Sequence, residues 1–143
     1  MKRFPVRIQR AVLWVSVLAG VLGLTVSLMA GTRPTDVTAD QARALIQQRA
    51  GQPGFVVLDV RTPEEFAQGR LPGALDVNVL APDFEARVGR LDRGKTYLVY
   101  CRTGNRSTRA VQIMERLGFR SMYHMVDGIV GWQKTGFPLS REP

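Results

Sequence analysis

Residues 96–107 read TYLVYCRTGNRS, and they combine a strand, a loop and the start of a helix. The first five residues are aromatic, β-branched or apolar, which predicts a short buried strand. From Ser107 to Leu117 apolar side chains recur at helical spacing, and Gly118 follows as a stop signal. The chain's one cysteine, Cys101, is therefore predicted to lie where a strand ends and a loop leads into a helix.

A thiol at this position has several neighbours that favour its anion. They are the positive end of the helix dipole, the free N–H groups of the loop, and the guanidinium groups of Arg102 and Arg106. The thiolate is the nucleophilic form of cysteine, and open α/β sheets bind ligands at the carboxyl ends of their strands. The loop thus predicts a sulfur nucleophile that acts on a small anion. Two alternatives stay open: Cys101 as a packed small hydrophobe, and the arginines as partners of carboxylates.

Composition narrows the possible functions further. The 143 residues include 20 basic and 12 acidic ones, for a formal charge of +8. Four basic residues lie in the first ten positions, and the others are interspersed with acidic residues, which argues against a nucleic-acid-binding surface. One cysteine excludes an internal disulfide, and one cysteine with one histidine cannot form a metal site of the usual spacing. We expect neither a metal nor a cofactor.

The N-terminal region differs in character from the rest. Residues 1–10 are basic, and residues 11–31 carry no charge. As a helix, those 21 residues would span about 31 Å, close to the ~30 Å hydrocarbon core of a bilayer, whereas the apolar core of a signal peptide is usually about 7–15 residues long. We interpret residues 11–31 as a transmembrane anchor, and the positive-inside rule then places the following domain on the periplasmic or extracytoplasmic side. The alternative is a cleaved signal peptide and a soluble exported protein.

The remainder reads as a linker at residues 32–37 and one domain at residues 38–143. Capping boxes at Thr38–Gln41 and Thr62–Glu65 predict two helix starts. The predicted strands cover 55–60, 75–79, 96–100 and 121–125, and the predicted helices cover 38–49, 62–69, 82–91, 107–117 and 129–134. Because strands alternate with helices, the fold class is α/β, with a mainly parallel sheet and helices on both faces.

Three motifs in this order resemble those of rhodanese-like sulfurtransferase domains. They are LDVRTPEEF with GRLPGA at 58–66 and 69–74, CRTGNRS at 101–107, and GIVGWQKTGFP at 128–138. The resemblance covers roughly residues 35–140. It implies a rhodanese fold with about five strands, and it implies that Cys101 becomes persulfidated. The chain departs from the family at Arg70, where histidine is frequent, and at Asp127-Gly128, where two glycines are common.

The resemblance also implies a mechanism and a substrate class. Cys101 would take sulfur from an anionic donor such as thiosulfate and pass it to a thiol or cyanide. The loop amides would hold the charge of the persulfide, much as an oxyanion hole holds oxygen. That loop comprises Arg102, Thr103, Gly104, Asn105 and Arg106. Asp59 and Arg61 are expected to help build the same edge, with structural pairing, such as Arg61 with Glu65, favoured over direct catalysis.

Two other classes of function remain as alternatives. Cysteine phosphatases and arsenate reductases of related fold place an arginine six positions after the cysteine, whereas here Arg106 is fifth and Ser107 is sixth. The shorter loop favours a sulfur atom over a phosphate. The other alternative is a membrane-tethered persulfide carrier or a partner-docking module without turnover. His124 and Trp132 are interpreted as structural residues. The sequence does not identify the physiological donor, the acceptor, a protein partner or the oligomeric state.

Overall fold

The structure, a computed structural model, describes residues 33–141. The predicted basic region at 1–10 and the predicted anchor at 11–31 lie outside the described residues. Over residues 33–141 there is no helix with the length and apolar character needed to span a bilayer.

The sheet has five strands, and every pairing between them is parallel. Along the sheet the order is β1-β5-β4-β2-β3, so β4 is central. The strands are β1 (Thr35–Val37), β2 (Phe55–Asp59), β3 (Leu75–Asp76), β4 (Thr96–Tyr100) and β5 (Met122–Met125). The chain reverses its direction of travel across the sheet between β2 and β4, which is where open α/β sheets bind ligands. The predicted α/β class with a parallel sheet is confirmed.

Five helices connect or follow the strands, namely α1 (Ala39–Arg49), α2 (Pro63–Gln68), α3 (Phe84–Val88), α4 (Asn105–Arg116) and α5 (Gly128–Lys134). Both predicted capping boxes are present. The side chain of Thr38 accepts the Gln41 N–H and the Gln41 side chain accepts the Thr38 N–H, and Thr62 and Glu65 pair in the same way. These caps satisfy N–H groups that the first turn of a helix would otherwise leave without partners.

Strand β4 divides the core into two layers because successive side chains of a strand point to opposite faces. Val99 and Cys101 pack in one core with apolar residues of α3 and α4. Leu98 and Tyr100 pack in the other core with residues of α1 and α5, including the buried Trp132, as predicted. Cys101 is thus placed at the end of the central strand, on the face covered by α4.

The linker predicted at residues 32–37 is wrong in its second half. Thr35–Val37 form β1, an edge strand that pairs with β5 from Thr35 opposite Tyr123 to Val37 opposite Met125. With three residues, of which Val37 alone is buried, the segment lacks the alternation that reveals a strand. The added strand brings Asp36 opposite His124.

Two predicted elements are shorter than expected. The strand predicted at 75–79 is Leu75–Asp76, because the chain then turns and the N–H of Ala81 donates to the carbonyl of Asn78. The helix predicted at 82–91 is Phe84–Val88, and the side chain of Asp83, the residue before it, makes no capping hydrogen bond.

Candidate active site

Cys101 follows β4 directly, and α4 begins four residues later, at Asn105. The residue is only 1% exposed. Its Sγ accepts the backbone N–H of Gly104 at 3.2 Å and the hydroxyl of Ser107 at 3.4 Å. The helix starts two residues earlier than predicted, so Ser107 lies in its first turn and reaches back to the sulfur.

The turn between β5 and α5 shapes the cysteine loop. The first N–H groups of α5, on Ile129 and Val130, donate to the carbonyls of Cys101 and Arg102 at 2.9 and 3.1 Å. Gly104 has φ +96°, and a Cβ there would lie 2.2 Å from the carbonyl oxygen of Val126. Close contact with this turn therefore requires glycine at position 104. With the loop carbonyls engaged by α5, loop N–H groups are left to face the sulfur.

Asp127, one of the positions where the sequence departs from the family pattern of two glycines, lies in this same turn between β5 and α5. Its carboxylate accepts the N–H of Ala39, at the start of α1, at 3.1 Å. The neighbouring Gly128 has φ +58°, and a Cβ there would lie 2.4 Å from the carbonyl oxygen of Arg102. The turn therefore keeps its second glycine where the loop presses on it, while Asp127 ties the turn to α1.

Burial and hydrogen bonds act on the thiol in opposite directions. Burial raises the pKa of Cys101, but hydrogen bonds from the Ser107 hydroxyl and from the N–H groups of Ser107, Thr103 and Gly104 lower it, and the net pKa is below that of an ordinary thiol. The predicted direction agrees with the structure. The groups that lower this pKa most are hydrogen-bond donors of the loop and of α4, whereas the sequence interpretation named the two arginines beside them without ranking the contributions.

Arg106 forms an ion pair with Glu65. Its two terminal nitrogens donate to the two carboxylate oxygens at 2.6 and 2.7 Å. These hydrogen bonds are the largest influence that lowers the pKa of Glu65, which falls to about 2. Since Glu65 also caps α2, the pair ties α2 to the first turn of α4. Of the two interpretations of Arg106, the structure shows the ion pair with a carboxylate.

Asp59 and Arg61 form a buried pair at the carboxyl end of β2. Asp59 is 0% exposed and Arg61 is 5% exposed. Arg61 Nε and Nη2 donate to the carboxylate of Asp59 at 2.6–3.0 Å, and Nη2 also donates to the Gly69 carbonyl at 2.7 Å. The Tyr100 hydroxyl donates to the same carboxylate. The predicted pairing of Arg61 with Glu65 is wrong, because the fully buried carboxylate of Asp59 takes up the guanidinium.

Arg102 is the exposed arginine of the loop. It lines a cleft of about 310 Å³ together with Arg61, Glu65 and Gln133. Among residues 33–141 no ion pair is found for Arg102, whereas Arg61 and Arg106 are both engaged with carboxylates. The other two loop residues predicted for the site, Thr103 and Asn105, are also exposed. Arg102 is thus the cation that an anion entering this cleft would meet.

Sequence reasoning missed a set of hydrogen-bonded side chains beside the sulfur, formed by Ser107, His124 and Asp36. Ser107 Oγ lies 2.8 Å from His124 Nε2, and His124 Nδ1 lies 3.1 Å from Asp36 Oδ1. His124 is buried, as its structural interpretation requires, but it is joined to the sulfur through one hydroxyl. One available signal was a histidine in an otherwise apolar strand, since buried polar groups need partners. Within the described part of the chain, no cluster of His, Cys, Asp and Glu is arranged to hold a metal ion.

Comparison with known proteins agrees with this geometry. Residues 38–135 match the model of the family described as Rhodanese-like domain. A sulfurtransferase from Allochromatium vinosum is 30% identical over 99 residues, which cover 68% of this chain and 90% of the relative. Thiosulfate sulfurtransferase 16, chloroplastic, from Arabidopsis thaliana is 35% identical over 95 residues, covering 59% of this chain and 79% of the relative.

Solved structures show the same fold. A rhodanese-related protein from Thermoplasma volcanium superposes with a TM-score of 0.65 at 28% identity, and the match covers 76% of this chain and 99% of that one. The family match spans most of the described residues and includes every strand from β2 to β5. This chain belongs to the rhodanese-like domain family.

Proposed function

We propose that the protein is a sulfurtransferase that moves sulfane sulfur from thiosulfate or a related small anion to a thiol or cyanide, through a persulfide on Cys101. The observation that carries the proposal is the environment of Sγ, which accepts the Gly104 N–H and the Ser107 hydroxyl at the end of the central strand. These donors favour the thiolate. Relatives named as sulfurtransferases support the reaction class, and the choice of thiosulfate is part of the proposal.

The reaction proceeds in two displacements. The Cys101 thiolate attacks the outer sulfur of thiosulfate, the bond between the two donor sulfurs breaks, and sulfite leaves with the electron pair. The enzyme then holds a persulfide, whose outer sulfur is attacked by the acceptor. The S–S bond breaks, the acceptor carries the sulfur away, and the thiolate is restored. No net oxidant or reductant is consumed, since the sulfane sulfur keeps its oxidation state in the transfer.

The chain's residues bind and stabilise the reacting groups. N–H groups of the loop from Arg102 to Arg106 hold the negative charge of the persulfide, as an oxyanion hole does for oxygen. Arg102, exposed on the cleft and not engaged in an ion pair within residues 33–141, draws in the anionic donor. Because Cys101 is nearly fully buried, the loop favours thin donors over bulky ones.

The contacts of Arg106 and Ser107 argue against the phosphatase alternative. A tetrahedral oxyanion needs an arginine aimed into the loop, but both terminal nitrogens of Arg106 donate to the carboxylate of Glu65. The residue six positions after the cysteine is Ser107, which is fully buried and donates to Sγ. A loop closed around one sulfur atom suits a persulfide.

A persulfide carrier without turnover is the second candidate, and burial of the sulfur favours it. Cys101 is 1% exposed, so a bulky acceptor has little access to its sulfur unless a partner opens the loop. This candidate uses the same first displacement and differs in the second. An acceptor screen separates the two, because a carrier would load sulfur but return little of it to free thiols.

The experiment uses the full-length chain and its Cys101→Ser variant, in which the near-isosteric serine cannot form a persulfide. Thiosulfate should add about 32 Da, one sulfur atom, to the peptide that contains Cys101, and cyanide should remove it as thiocyanate. The serine variant should do neither, and an aryl phosphate should remain intact with both proteins. Wild-type protein that gains no sulfur would overturn the proposal.

We also propose that residues 11–31 anchor the protein in a membrane, with the domain on the periplasmic or extracytoplasmic side. The support is the 21-residue uncharged stretch and the four basic residues before it. A reporter that is active only after export, fused behind Pro143, should be active. A cytoplasmic signal would contradict the orientation, and a soluble product that begins near Gly31 would indicate a cleaved signal peptide instead.

A further inference from the structure

A continuous line of hydrogen-bonding groups runs from the cysteine sulfur to the protein surface. Cys101 Sγ and Ser107 Oγ are 3.4 Å apart, Ser107 Oγ and His124 Nε2 are 2.8 Å apart, and His124 Nδ1 and Asp36 Oδ1 are 3.1 Å apart. The first three residues are buried, whereas the side chain of Asp36 is 71% exposed. His124 and Asp36 are direct partners in the ladder between β5 and β1.

The number of available hydrogens limits how these contacts can be made. Ser107 has one hydroxyl hydrogen and three acceptors within reach: the sulfur, His124 Nε2, and the Gly104 carbonyl at 2.9 Å. A neutral imidazole has a single N–H, and the Asp36 carboxylate holds that hydrogen on Nδ1. Nε2 then accepts the Ser107 hydroxyl, and the sulfur loses that donor.

A protonated imidazole reverses this arrangement. Both ring nitrogens then carry hydrogen, so Nδ1 donates to Asp36, and Nε2 donates to Ser107 Oγ at 2.8 Å with the Gly104 carbonyl 3.3 Å away as a further acceptor. The Ser107 hydroxyl can no longer donate to the ring and is available to the sulfur. Protonation of His124 thus removes the ring as an acceptor of the Ser107 hydroxyl and leaves the thiolate and the Gly104 carbonyl.

We propose that His124, held by Asp36, is a positioning residue that takes the proton of the Cys101 thiol through the Ser107 hydroxyl. In the transfer, the S–H bond breaks and its hydrogen moves to Ser107 Oγ, while the hydroxyl's own hydrogen moves to His124 Nε2. The products are a thiolate, an intact hydroxyl that faces it, and an imidazolium paired with Asp36. Proton number and oxidation state are conserved. The use of this thiolate for sulfur transfer rests on the proposed function.

The groups around His124 are compatible with such a transfer. From β1 it faces the Asp36 carboxylate, from α4 it faces Ser107, and from β4 its ladder partner is the apolar Val99. Two other charged groups, Arg33 before β1 and Glu115 on α4, line the same cleft of about 430 Å³. Asp36 is the carboxylate in contact with the ring, at 3.1 Å from Nδ1.

Alkylation of Cys101 by iodoacetamide, followed against pH on the full-length chain, tests the proposal without sulfur transfer. His124→Gln keeps an amide near Ser107 but cannot take up a proton. We expect the pH at which the alkylation rate rises to be about one unit higher in His124→Gln than in wild type. Below that pH the variant should therefore react about tenfold more slowly. Asp36→Asn should shift the profile less and in the same direction. Glu115→Gln removes a carboxylate from the same cleft and should leave the profile unchanged.

A second measurement does not depend on the folding of any histidine variant. Because the chain has one histidine, NMR can follow the protonation of its ring directly in wild type and in Cys101→Ser. The serine variant has no group at position 101 that ionises in this pH range, so the ring signals of the two proteins should follow different pH profiles. Identical ring titrations would overturn the proposal, as would a folded His124→Gln variant with the wild-type alkylation profile. If coupling is found but thiosulfate loads no sulfur, the proposed function alone fails.

Discussion

Two polar networks flank Cys101, and they differ in where they end. The arginine network consists of Asp59, Arg61 and Tyr100, and the histidine network consists of Ser107, His124 and Asp36. In the first, the carboxylate and the guanidinium are 0% and 5% exposed and are bonded to each other. In the second, a buried hydroxyl and ring end at a carboxylate whose side chain is 71% exposed.

This difference indicates different roles for the two networks. A closed pair of buried charges is costly to disrupt, because removing either partner leaves the other uncompensated in the interior. It fixes the ends of β2 and β4 relative to each other, since Tyr100 and Asp59 come from these two strands. A network that reaches solvent can instead exchange a proton. We therefore expect substitutions in the first to change stability and substitutions in the second to change reactivity.

The largest effect is expected for Arg61→Met, which leaves the Asp59 carboxylate buried without its partner. The free energy of unfolding should fall by about 3–5 kcal/mol. Urea unfolding followed by circular dichroism measures it.

The matched control is the double variant Asp59→Leu with Arg61→Met, which removes both charges. It should lose less stability than the single variant, because no uncompensated charge remains. If the unfolding free energy of Arg61→Met lies within about 1 kcal/mol of the wild-type value, the buried pair does not fix the ends of β2 and β4 relative to each other.

A smaller, pH-dependent effect is expected from the pair between Glu65 and Arg106. The Arg106 hydrogen bonds lower the pKa of Glu65 in the folded protein from 4.5 to about 2. For a lowered carboxyl pKa, the added stability is fully present above the unfolded value and is lost as pH falls towards the folded value. Glu65→Gln should therefore reduce stability near neutral pH by on the order of 1 kcal/mol, since the pair is partly exposed.

The comparison with wild type should be made at pH 6 and again at pH 3. The difference in unfolding free energy between wild type and Glu65→Gln should shrink as the pH falls. Glu64→Gln alters the exposed neighbouring carboxylate on α2 and serves as the control. A difference that is the same at both pH values would mean that the ion pair does not carry the stability.

The cysteine loop was predictable because its signals are local. The strand before it, the glycine within it and the amphipathic helix after it are all visible in a window of about 20 residues. Strand β1 was not predictable from the sequence, because it is three residues long and buries only Val37. Without β1, nothing in the sequence brings Asp36 to His124, which is 88 positions away.

The misassigned partner of Arg61 has a similar cause. Glu65 is four positions along, the spacing of neighbours on a helix, but α2 begins only at Pro63, and Arg61 lies before it. The residue that takes the guanidinium is two positions back, at the end of β2. Burial of Asp59 decides the pairing, and burial is a property of the assembled sheet rather than of the local sequence.

The smallest effect on stability is expected for Arg102, the loop arginine outside both networks. Arg102→Ala should leave the unfolding free energy within about 0.5 kcal/mol of wild type, because the side chain is exposed. Its effect should appear in the selectivity of Cys101 for anions. Iodoacetate and iodoacetamide have similar size and alkylate the same thiolate, and they differ in charge.

The ratio of the two alkylation rates therefore isolates the charge of Arg102 from the ionisation of the thiol. A change in thiolate fraction would scale both rates equally, whereas loss of a nearby cation lowers the iodoacetate rate alone. We expect the ratio to fall about threefold in Arg102→Ala at low ionic strength, and the difference to shrink in high salt as the charge is screened. Arg109→Ala removes an exposed arginine of α4 that lines a different cleft and should leave the ratio unchanged. If Arg102→Ala slows both reagents in proportion, Arg102 acts on the sulfur itself and not on the approaching anion.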